Sequence, residues 1–315
     1  MSRPFAQLIE DGGASAGGGV GGHPSEFFRG AHFLAAEGAT HTLRIESGGG
    51  ALLAPLVVRE IPGTDTRDAT SPYGYPGFSG SVEGLDPGSI DWSATGLVSV
   101  FIRHALGRSP LAGASERNIV QIADPGLAPK SRPSDRRQVR RNLEAGYVLE
   151  LVPGSEATAE QRAAFLEAYE QTMRRTNAAP HYFFDAAYFD RILAPDRTWL
   201  ALARAPGGEI AAASIATVSD GYLHYYLSGS ADAHLRDSPM KNVVACLVDY
   251  AAELRLPLNL GGGIPWRRPR GVQARLRQPP AGLDHLGARL RRGEVRGAER
   301  RPQGRRLLPG LSRLS

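Results

Sequence analysis

The succession of helical and strand patterns between residues 147 and 260 constrains the fold of this chain most. Apolar residues alternate in some segments and recur at helical spacing in others, which predicts strands and helices respectively. The predicted order is strand, helix, helix, strand, strand, strand, helix, strand, at residues 147–152, 158–174, 185–193, 198–204, 209–218, 222–228, 238–254 and 257–260. Short turns join the three consecutive strands, which is typical of an antiparallel meander. The segment therefore predicts an α/β (α+β) fold with mixed, mostly antiparallel sheets.

The length of 315 residues predicts about two domains. We divide the chain into a flexible Gly-rich N-terminus, a first domain, a second domain that begins with a basic connecting helix at 135–144, and an Arg-rich disordered tail, at residues 1–23, 24–130, 131–263 and 264–315. The first domain is the less regular one. Its predicted elements are a helix or turn near 27–36, three strands at 41–45, 51–61 and 118–123, and a helix over 95–105, where apolar residues recur at helical spacing.

The charge of the chain is uneven. Residues 264–315 contain fourteen Arg, no Lys and three acidic residues, a balance of +11, while the whole chain carries +5. The other 263 residues therefore carry −6. The basic isoelectric point describes the tail, so the whole-chain charge does not indicate nucleic-acid binding, and we expect no stable DNA binding.

The expected compartment is the cytoplasm. No apolar run approaches the ~18 residues that a membrane span needs. The first residues, MSRPFAQLIEDGG, lack the apolar core of a secretion signal. Cys246 is the single cysteine of the chain, so no internal disulfide can form.

Several short strings occur along the chain in a definite order. They are SPYGYPG (71–77), RRQVRRNLEAGY (136–147), FLEAYEQTMRR (165–175), YFFDAAYF (182–189), YLSGS (226–230), SPMKNVV (238–244) and LNLGGG (258–263). Together they resemble the Fem-type (FemAB-like) branch of the GNAT acyltransferase superfamily, which includes peptidoglycan-bridge aminoacyltransferases and related single-chain acyltransferases. The resemblance spans about residues 24–263. It implies tandem GNAT-like domains, of which the second is incomplete.

The predicted helix that opens at Ser238 is the expected docking point of a phosphate-bearing donor. First-turn amides have no partner within a helix, the dipole is positive there, and Lys241 adds a cation. The alternative is that Ser238 only caps the helix and Lys241 is solvated. With the resemblance, the cofactor-binding residues are Ser228, Ser230, Ser238, Met240, Lys241 and Asn242. The stretch SGSADAHLRDSPMK departs from the usual GNAT phosphate loop because Gly229 is its only glycine, which leaves acyl-CoA and aminoacyl-tRNA both open as donors.

In the GNAT fold, the strand before this helix separates from the next strand, and the donor enters the gap. By resemblance these are the strands at 222–228 and 258–260. We expect His224, Tyr226 and Ser228 to share one face of the first strand. His224 and Tyr226 are therefore the candidate catalytic residues, able to move a proton during amine attack. The alternative for a single histidine in a strand is a structural role.

The predicted substrate-binding residues are Tyr73, Tyr75, Arg140, Arg141 and Asn259. The two tyrosines lie on a Pro/Gly turn, as in a binding loop, and a packed interdomain turn is the alternative. The arginines of the connecting helix recur at helical spacing and would suit tRNA or lipid-linked phosphate. A solvated helix face is the simpler interpretation for them. No metal site is expected.

The tail differs in composition from the rest of the chain. Residues 265–315 contain no Phe, Tyr, Ile, Lys, Asn, Thr, Met or Cys and are rich in residues encoded by GC-rich codons. This composition predicts that the sequence after Gly263 is frameshifted or degenerate, and that the second domain lacks its last helix and strands. The alternative is a functional Arg-rich arm that binds nucleic acid.

The function that these observations predict is that of an enzyme, a GNAT-type N-acyltransferase. It would transfer an acyl (acetyl) group from acyl-CoA by direct attack of an amine, which belongs to a small molecule or a peptidoglycan precursor. The first alternative is an aminoacyl-tRNA-dependent peptidyltransferase of the peptidoglycan-bridge type, for which tRNA is a partner. The second is an inactive truncated protein or a basic-tailed nucleic-acid binder.

Overall fold

The computed structural model describes residues 3–10, 26–107, 109–114, 119–127, 131–263 and 306–307. The chain divides into two units, residues 1–116 and 117–315. Each unit contains a sheet with both parallel and antiparallel strand pairs. The predicted mixed α/β fold is therefore confirmed.

The first unit is a sheet with one short helix. Its elements are β1 (Phe5–Glu10), α1 (Ala31–Ala36), β2 (His41–Ser47), β3 (Gly50–Glu60), β4 (Arg67–Thr70), β5 (Ser79–Gly80) and β6 (Leu97–Phe101). The strand order is β1-β2-β3-β4-β6, and β5 pairs with β3. Ala6, Leu43, Ile45 and Leu52 are in the buried core of this sheet. The alternation of apolar residues in β2 and β3 places one face of each strand in that core.

β1 is a finding that the sequence prediction missed. Residues 1–23 were predicted to be flexible, and this is wrong for Phe5–Glu10, which forms a strand antiparallel to β2. Ala6 is fully buried and Leu8 packs against the core, so this short apolar stretch gains enough burial to pair with the sheet. Residues 11–25, which hold most of the Gly-rich run, lie outside the described residues.

The predicted helix over 95–105 is also wrong, because residues 97–101 form β6, which runs parallel to β4. Gly96 precedes it with a φ of 63°, a left-handed conformation that interrupts any helix. Leu97 and Val100 pack against the core, while Val98 and Phe101 are exposed. β-Branched and aromatic residues favour a strand, and here they outweigh a helical spacing that extends over only two turns.

The second unit contains the predicted order of elements from 147 to 260. Its elements are β7 (Ile119–Ala123), α2 (Pro133–Glu144), β8 (Val148–Pro153), α3 (Ala159–Arg175), α4 (Ala186–Leu193), β9 (Thr198–Arg204), β10 (Ile210–Ser219), β11 (Tyr222–Ser230), a 3₁₀ helix (Asp232–Asp237), α5 (Met240–Leu254), β12 (Leu258–Gly263) and β13 (Arg306–Leu307). The strand order is β13-β8-β9-β10-β11-β12-β7. The meander of β9, β10 and β11 is antiparallel, and β12 joins β11 in parallel after the α5 crossover.

β7 belongs to the second sheet, although it precedes the connecting helix α2. It pairs antiparallel with β12 at the edge of the sheet. The predicted division at 130/131 placed this strand in the first domain, whereas the two units divide at 116/117. A boundary drawn at the Pro-rich connector misses this arrangement because strand pairing over a long sequence separation leaves no local signal.

Helices cover both faces of the second sheet. α5 packs through Val243, Leu247 and Ala251 against small residues of the sheet such as Ala201 and Ala212. α3 and α4 meet through aromatic side chains, with the rings of Tyr169 and Phe189 5.2 Å apart at 73°. None of the helices in the described ranges is long and apolar enough to cross a membrane.

The predicted disordered, out-of-frame tail lies almost entirely outside the described residues. The exception is Arg306–Leu307, which forms β13 and pairs antiparallel with Leu151 and Glu150 of β8.

Candidate active site

β11 and β12 pair along only a short part of their length. The parallel ladder consists of two pairs, Leu223 with Leu258 and His224 with Asn259. Directly beyond this point both strands are irregular: β11 shifts register against β10 around Tyr226, and β12 shifts against β7 between Asn259 and Gly262. Such bulges bend a strand and increase its twist. Regular pairing of the two strands therefore ends at the His224–Asn259 pair, at the position where the resemblance implies a gap.

The bulge in β11 changes which side chains share a face. Ile215 of β10 lies opposite Leu227 and Ala216 lies opposite Tyr225, so β11 has one extra residue between them. Tyr225 packs towards α5 and donates a hydrogen bond to Ser228 Oγ at 2.6 Å. A Cβ on Gly229 would instead point at the backbone of α3. The prediction that Ser228 shares a face with His224 and Tyr226 is therefore wrong, because the extra residue reverses the alternation.

His224 is a buried, neutral side chain at the end of the ladder. It is 1% exposed, its Nε2 lies 3.1 Å from the carbonyl oxygen of Ser219, and its Nδ1 lies 3.1 Å from Asn259 Nδ2. Burial lowers the pKa of His224 to about 4, against the smaller opposing effects of the Ser219 carbonyl and Asp220. Both ring nitrogens thus have protein partners, which does not favour His224 as a base.

Tyr226 lies in the bulge, two residues beyond the last ladder pair. It is partly exposed, and its hydroxyl is 3.3 Å from the hydroxyl of Tyr188 in α4. Tyr188 in turn stacks on Phe184, with ring centroids 3.9 Å apart. Sequence reasoning missed Tyr188. The string YFFDAAYF was part of the resemblance, but nothing in it links α4 to a strand 38 residues away.

The start of α5 differs from the prediction. The helix begins at Met240 with Pro239 as its N-cap, and Ser238 ends the preceding 3₁₀ helix in a left-handed conformation, with a φ of 48°. The amides of Lys241 and Asn242 donate to the carbonyl oxygens of Ser238 and Pro239, at 3.0 and 2.9 Å. The prediction that Ser238 caps the helix is wrong, because the chain enters the helix through a turn that satisfies these amides itself.

The side chains at the start of α5 contact α2. Lys241 Nζ forms an ion pair of 2.9 Å with Asp135 and is one-third exposed. Asn242 is fully buried, accepts a hydrogen bond of 2.6 Å from Asn142 and donates one of 3.2 Å to the carbonyl oxygen of Val139. The prediction placed both residues at a donor site, whereas here they fasten α2 to α5.

The other predicted cofactor-binding residues lie at the two ends of the 3₁₀ helix. Ser230 ends β11, and its amide donates to Thr172 Oγ1 of α3 at 2.9 Å. Met240 is partly buried and packs against the core of the second sheet. The structure therefore places Ser228 and Ser230 along β11, and Ser238, Met240 and Lys241 at the α5 junction.

Tyr73 and Tyr75 lie in the first unit, on a well-packed loop between β4 and β5. The Tyr73 amide donates to Glu37 Oε2 at 2.8 Å, and the Tyr75 ring meets Phe28 edge-on at 5.5 Å. The loop also accepts a hydrogen bond at the Pro76 carbonyl from Arg29, which is almost fully buried. The turn is fixed in position by these contacts, and both tyrosines stay partly exposed.

Arg140 and Arg141 lie on the exposed side of α2. The opposite side of this helix faces α5 through Gln138 and Asn142, which donate hydrogen bonds to the Asp237 carbonyl at 3.1 and 2.8 Å. The arginines are thus available to solvent, as both a solvated face and an anion-binding face require.

A cavity of about 590 Å³ lies beside the 3₁₀ helix, between α3 and the β9–β10 turn. Its lining includes Glu160, Glu167, Glu209, Asp232 and His234, but none of the predicted site residues. Four carboxylates disfavour a phosphate group there. We therefore do not assign the donor to this cavity.

Two further chemistries find no support in the second unit. Cys246 is 1% exposed, and burial raises the pKa of its thiol to about 12, so it is not an available nucleophile. Within the described ranges, His, Cys, Asp and Glu side chains nowhere form a group of three that could hold a metal ion.

Comparison with known proteins identifies the domain. The family model described as "Acetyltransferase (GNAT) domain" matches residues 129–263, which include α2, the meander, the β11–β12 separation and α5. No protein with a curated description matches the chain.

Solved structures with a similar fold include FemX (12% identity, TM-score 0.48, 73% of this chain and 81% of that chain). Others are L-PGS from Bacillus licheniformis (16%, 0.38, 47% and 47%) and a probable N-acyltransferase from Enterococcus faecalis V583 (12%, 0.33, 82% and 66%). The chain thus spans about half the length of L-PGS. With TM-scores below 0.5, these likenesses carry no information about activity. The family match has a separate basis, and by it residues 129–263 form a GNAT acetyltransferase domain.

Proposed function

We propose that the chain is an N-acyltransferase that takes its acyl group from acyl-CoA. The observation that carries this proposal is the separation of β11 from β12 after only two ladder pairs. Strands that stop pairing present backbone amides and carbonyls along the opening. The pantetheine arm of coenzyme A is a narrow chain with two amide groups, so it can add to such an edge in the manner of a strand.

The reaction at this opening would be a direct transfer. The amine nitrogen attacks the thioester carbonyl, the new C–N bond forms, the C–S bond breaks, and the amine loses a proton while the departing thiolate gains one. Tyr226 is the group that we assign to the thiolate proton, because its hydroxyl lies two residues beyond the last ladder pair and is held near Tyr188. Backbone amides of the bulged strand would stabilise the oxyanion.

The phosphates of the donor are assigned to the junction between β11 and α5. Lys241 supplies the cation there, because its side chain is one-third exposed at the positive end of the α5 dipole. Ser228, Ser230, Ser238 and Met240 are retained as donor-binding candidates along this path. Asn242 is not retained, since its buried amide already bonds α2.

The acceptor is proposed to be the amine of a small molecule or of a peptidoglycan precursor. Tyr73 and Tyr75 are its candidate contacts in the first unit, where the packed loop fixes them. Arg140 and Arg141 are candidate contacts for an anionic group of the acceptor, because they are exposed.

Thermal unfolding of the full chain with acetyl-CoA, longer acyl-CoAs and charged tRNA in parallel tests this function. We expect a concentration-dependent rise in Tm with an acyl-CoA, as mass action requires for a ligand that binds the native state. Acyl transfer to a panel of primary amines should follow for the same donor. A rise with charged tRNA alone would replace the proposal by the aminoacyl-tRNA alternative, and no rise with any donor would refute both.

A further inference from the structure

His224 and Asn259 form a buried polar pair at the point where β11 and β12 separate. They are opposite each other in the last ladder pair, and each is 1% exposed. Burying polar side chains costs free energy unless they are hydrogen-bonded, and these two bond each other across the strands. An apolar pair at these two positions could not make the hydrogen bonds that these side chains make.

The hydrogen bonds of this pair have one consistent assignment. The Gly261 amide can only donate, so Asn259 Oδ1 accepts from it at 2.9 Å, and the Asn259 amide nitrogen must face His224. That nitrogen donates to His224 Nδ1, which is then unprotonated. The proton is on Nε2, which donates to the Ser219 carbonyl. The result is a directed chain of hydrogen bonds from Gly261 through Asn259 and His224 to Ser219.

This chain connects the two places where the backbone leaves regular pairing. Gly261 has a φ of 75° and lies inside the irregular part of β12, between Asn259 and Gly262. Ser219 ends β10, and His224 is two residues before the bulge at Tyr226. Asn259 thus bonds the left-handed turn at which β12 shifts its register against β7, while His224 bonds the end of β10. Each of the two side chains therefore contacts the backbone next to one of the two irregular segments.

We propose that His224 and Asn259 act as positioning residues that fix the point at which β11 and β12 separate and so set the width of the donor opening. The second half of this statement rests on the proposed function. We call the hydrogen-bonded pair of His224 and Asn259 the clasp. It carries no charge, touches no reacting atom, and fixes where the opening begins.

Two variants and a control test the clasp in the full-length chain. Asn259→Leu keeps similar volume but removes both hydrogen bonds. Asn259→Asp can still accept from Gly261 but cannot donate to Nδ1, so the ring must take a proton there. Thr198→Val is the control, because it removes a buried hydroxyl contact of 3.1 Å, to Thr217, from β9, which β10 and β11 separate from β12.

Three measurements separate a positioning role from a merely structural one. Nitrogen-15 spectra of the ring should show only Nε2 protonated in the wild-type protein near pH 6.5, and both nitrogens protonated in Asn259→Asp. Amide exchange at residues 223, 224, 258 and 259 should accelerate at least about tenfold in Asn259→Leu relative to Thr198→Val. Calorimetry with coenzyme A should give a Kd at least about tenfold weaker for Asn259→Leu than for the control.

The outcomes distinguish this inference from the proposed function. If Asn259→Leu matches Thr198→Val in both exchange and coenzyme A binding, or if the wild-type ring is protonated on Nδ1, the clasp is refuted. If the wild-type protein binds no coenzyme A, the proposed function fails, and the exchange data alone decide whether the pair holds the strands. Should Asn259→Leu fail to fold, the ring of Asn259→Asp decides: two protonated nitrogens support the clasp, and a ring still protonated on Nε2 alone refutes it.

Discussion

The two sides of the predicted donor site, the β11–β12 strands and the start of α5, differ in whether their polar groups already have partners within the protein. On the strand side, β11 and β12 separate after two ladder pairs, and both strands bulge at that point. On the helix side, the start of α5 uses its side chains internally: Asn242 bonds Asn142, and Lys241 pairs with Asp135. On the strand side, backbone groups are therefore left without regular ladder pairing, while on the helix side the side chains are occupied by contacts with α2.

A sequence motif therefore does not indicate whether its side chains are available to a ligand. The string SPMKNVV occurs where the resemblance predicts a phosphate site, yet two of its polar residues have structural partners 100 or more residues away. The opening between the strands depends less on side-chain chemistry, because it follows from pairing that stops. Five experiments test the contrast between the two sides.

Replacing Gly229 on the strand side should have the largest effect. A Cβ at this position would come within 2.5 Å of the Ala168 carbonyl oxygen in α3, and backbone atoms cannot yield cheaply. We expect Gly229→Val to lower the free energy of unfolding by at least about 3 kcal/mol, measured by urea denaturation. Gly207→Ala is the control, because the atoms nearest to its Cβ belong to the flexible Glu209 side chain. Equal stabilities would show that α3 does not hold β11 in place.

The buried His224 predicts a pH dependence of stability. Its pKa is about 4 in the folded state and about 6.5 when unfolded, so the unfolded state binds the extra proton between these values. The stabilising contribution is therefore fully present above pH 6.5 and is lost as the pH falls through 4, by up to about 3 kcal/mol. Urea denaturation at each pH gives the free energy of unfolding as a function of pH. The part of its slope that His224 contributes should disappear in His224→Gln and persist in the exposed His181→Gln.

Asp249 contributes a pH dependence of stability with the opposite sign, and this contribution must be subtracted from the measured one. Burial, with a smaller effect of Glu253, raises the pKa of Asp249 to about 7, so this carboxyl costs stability as the pH rises from 4 to 7. Comparing each variant with the wild-type protein at the same pH cancels this contribution. An unchanged slope in His224→Gln would contradict the neutral, buried imidazole.

The assigned acid of the strand side gives the third prediction. Tyr226→Phe should lower kcat by about 100-fold with little change in KM, because general acid catalysis contributes about that much or more. Tyr222→Phe, on the same strand before the separation, should leave kcat within a factor of about two. Steady-state kinetics with acetyl-CoA measure both. If both variants lose the same activity, Tyr226 has only a packing role.

On the helix side, variants of Lys241 and of its partner Asp135 should show whether Lys241 binds the donor or only forms a structural ion pair. Lys241→Met should weaken coenzyme A binding by about tenfold, whereas Asp135→Asn, which frees the ammonium group, should keep or tighten it. The weakening should diminish at high salt, as for any exposed charge. Calorimetry at two ionic strengths measures both effects. If the two variants weaken binding equally, the ion pair is structural and Lys241 is not a phosphate contact.

The smallest effect is expected from the exposed arginines of α2. The double variant Arg140→Ala/Arg141→Ala should change the free energy of unfolding by less than about 0.5 kcal/mol, since both side chains are exposed. Coenzyme A affinity should also stay within about twofold. Parallel titration with an anionic acceptor analogue tests the remaining assignment. An equal loss of coenzyme A affinity would show that the arginines contact the donor and not the acceptor.

The fold of the second unit was accessible from sequence because its signals are local. Alternating and helical periodicity predicted β9, β10, β11 and α5 close to their observed bounds. Short turns then made the meander antiparallel without any further information. In the first unit the signals were weaker, so β1 was missed and β6 was predicted as a helix.

The candidate site was accessible in part. The point at which β11 and β12 stop pairing lies where the resemblance predicts a gap, and Tyr226 follows it by two residues. The sequence did not predict which individual side chains are available and which are engaged in structural contacts. The bulge at Tyr226 reversed the faces of β11 and moved Ser228 away from the others, and a single extra residue in a ladder leaves no mark in the alternation of polar and apolar residues.

Local sequence signals were enough to predict the α/β class and the order of elements from β8 to β12, and they include the strings that resemble GNAT acyltransferases. Periodicity and turn chemistry act over a few residues, so they can be read directly from a chain. Three features became visible only in the folded chain: β7 completes the second sheet, α2 contacts Lys241 and Asn242, and Asn259 lies within hydrogen-bond distance of His224. Those features depend on burial and on partners distant along the chain, and the free energy of a polar side chain is set by the partners it meets once water is excluded.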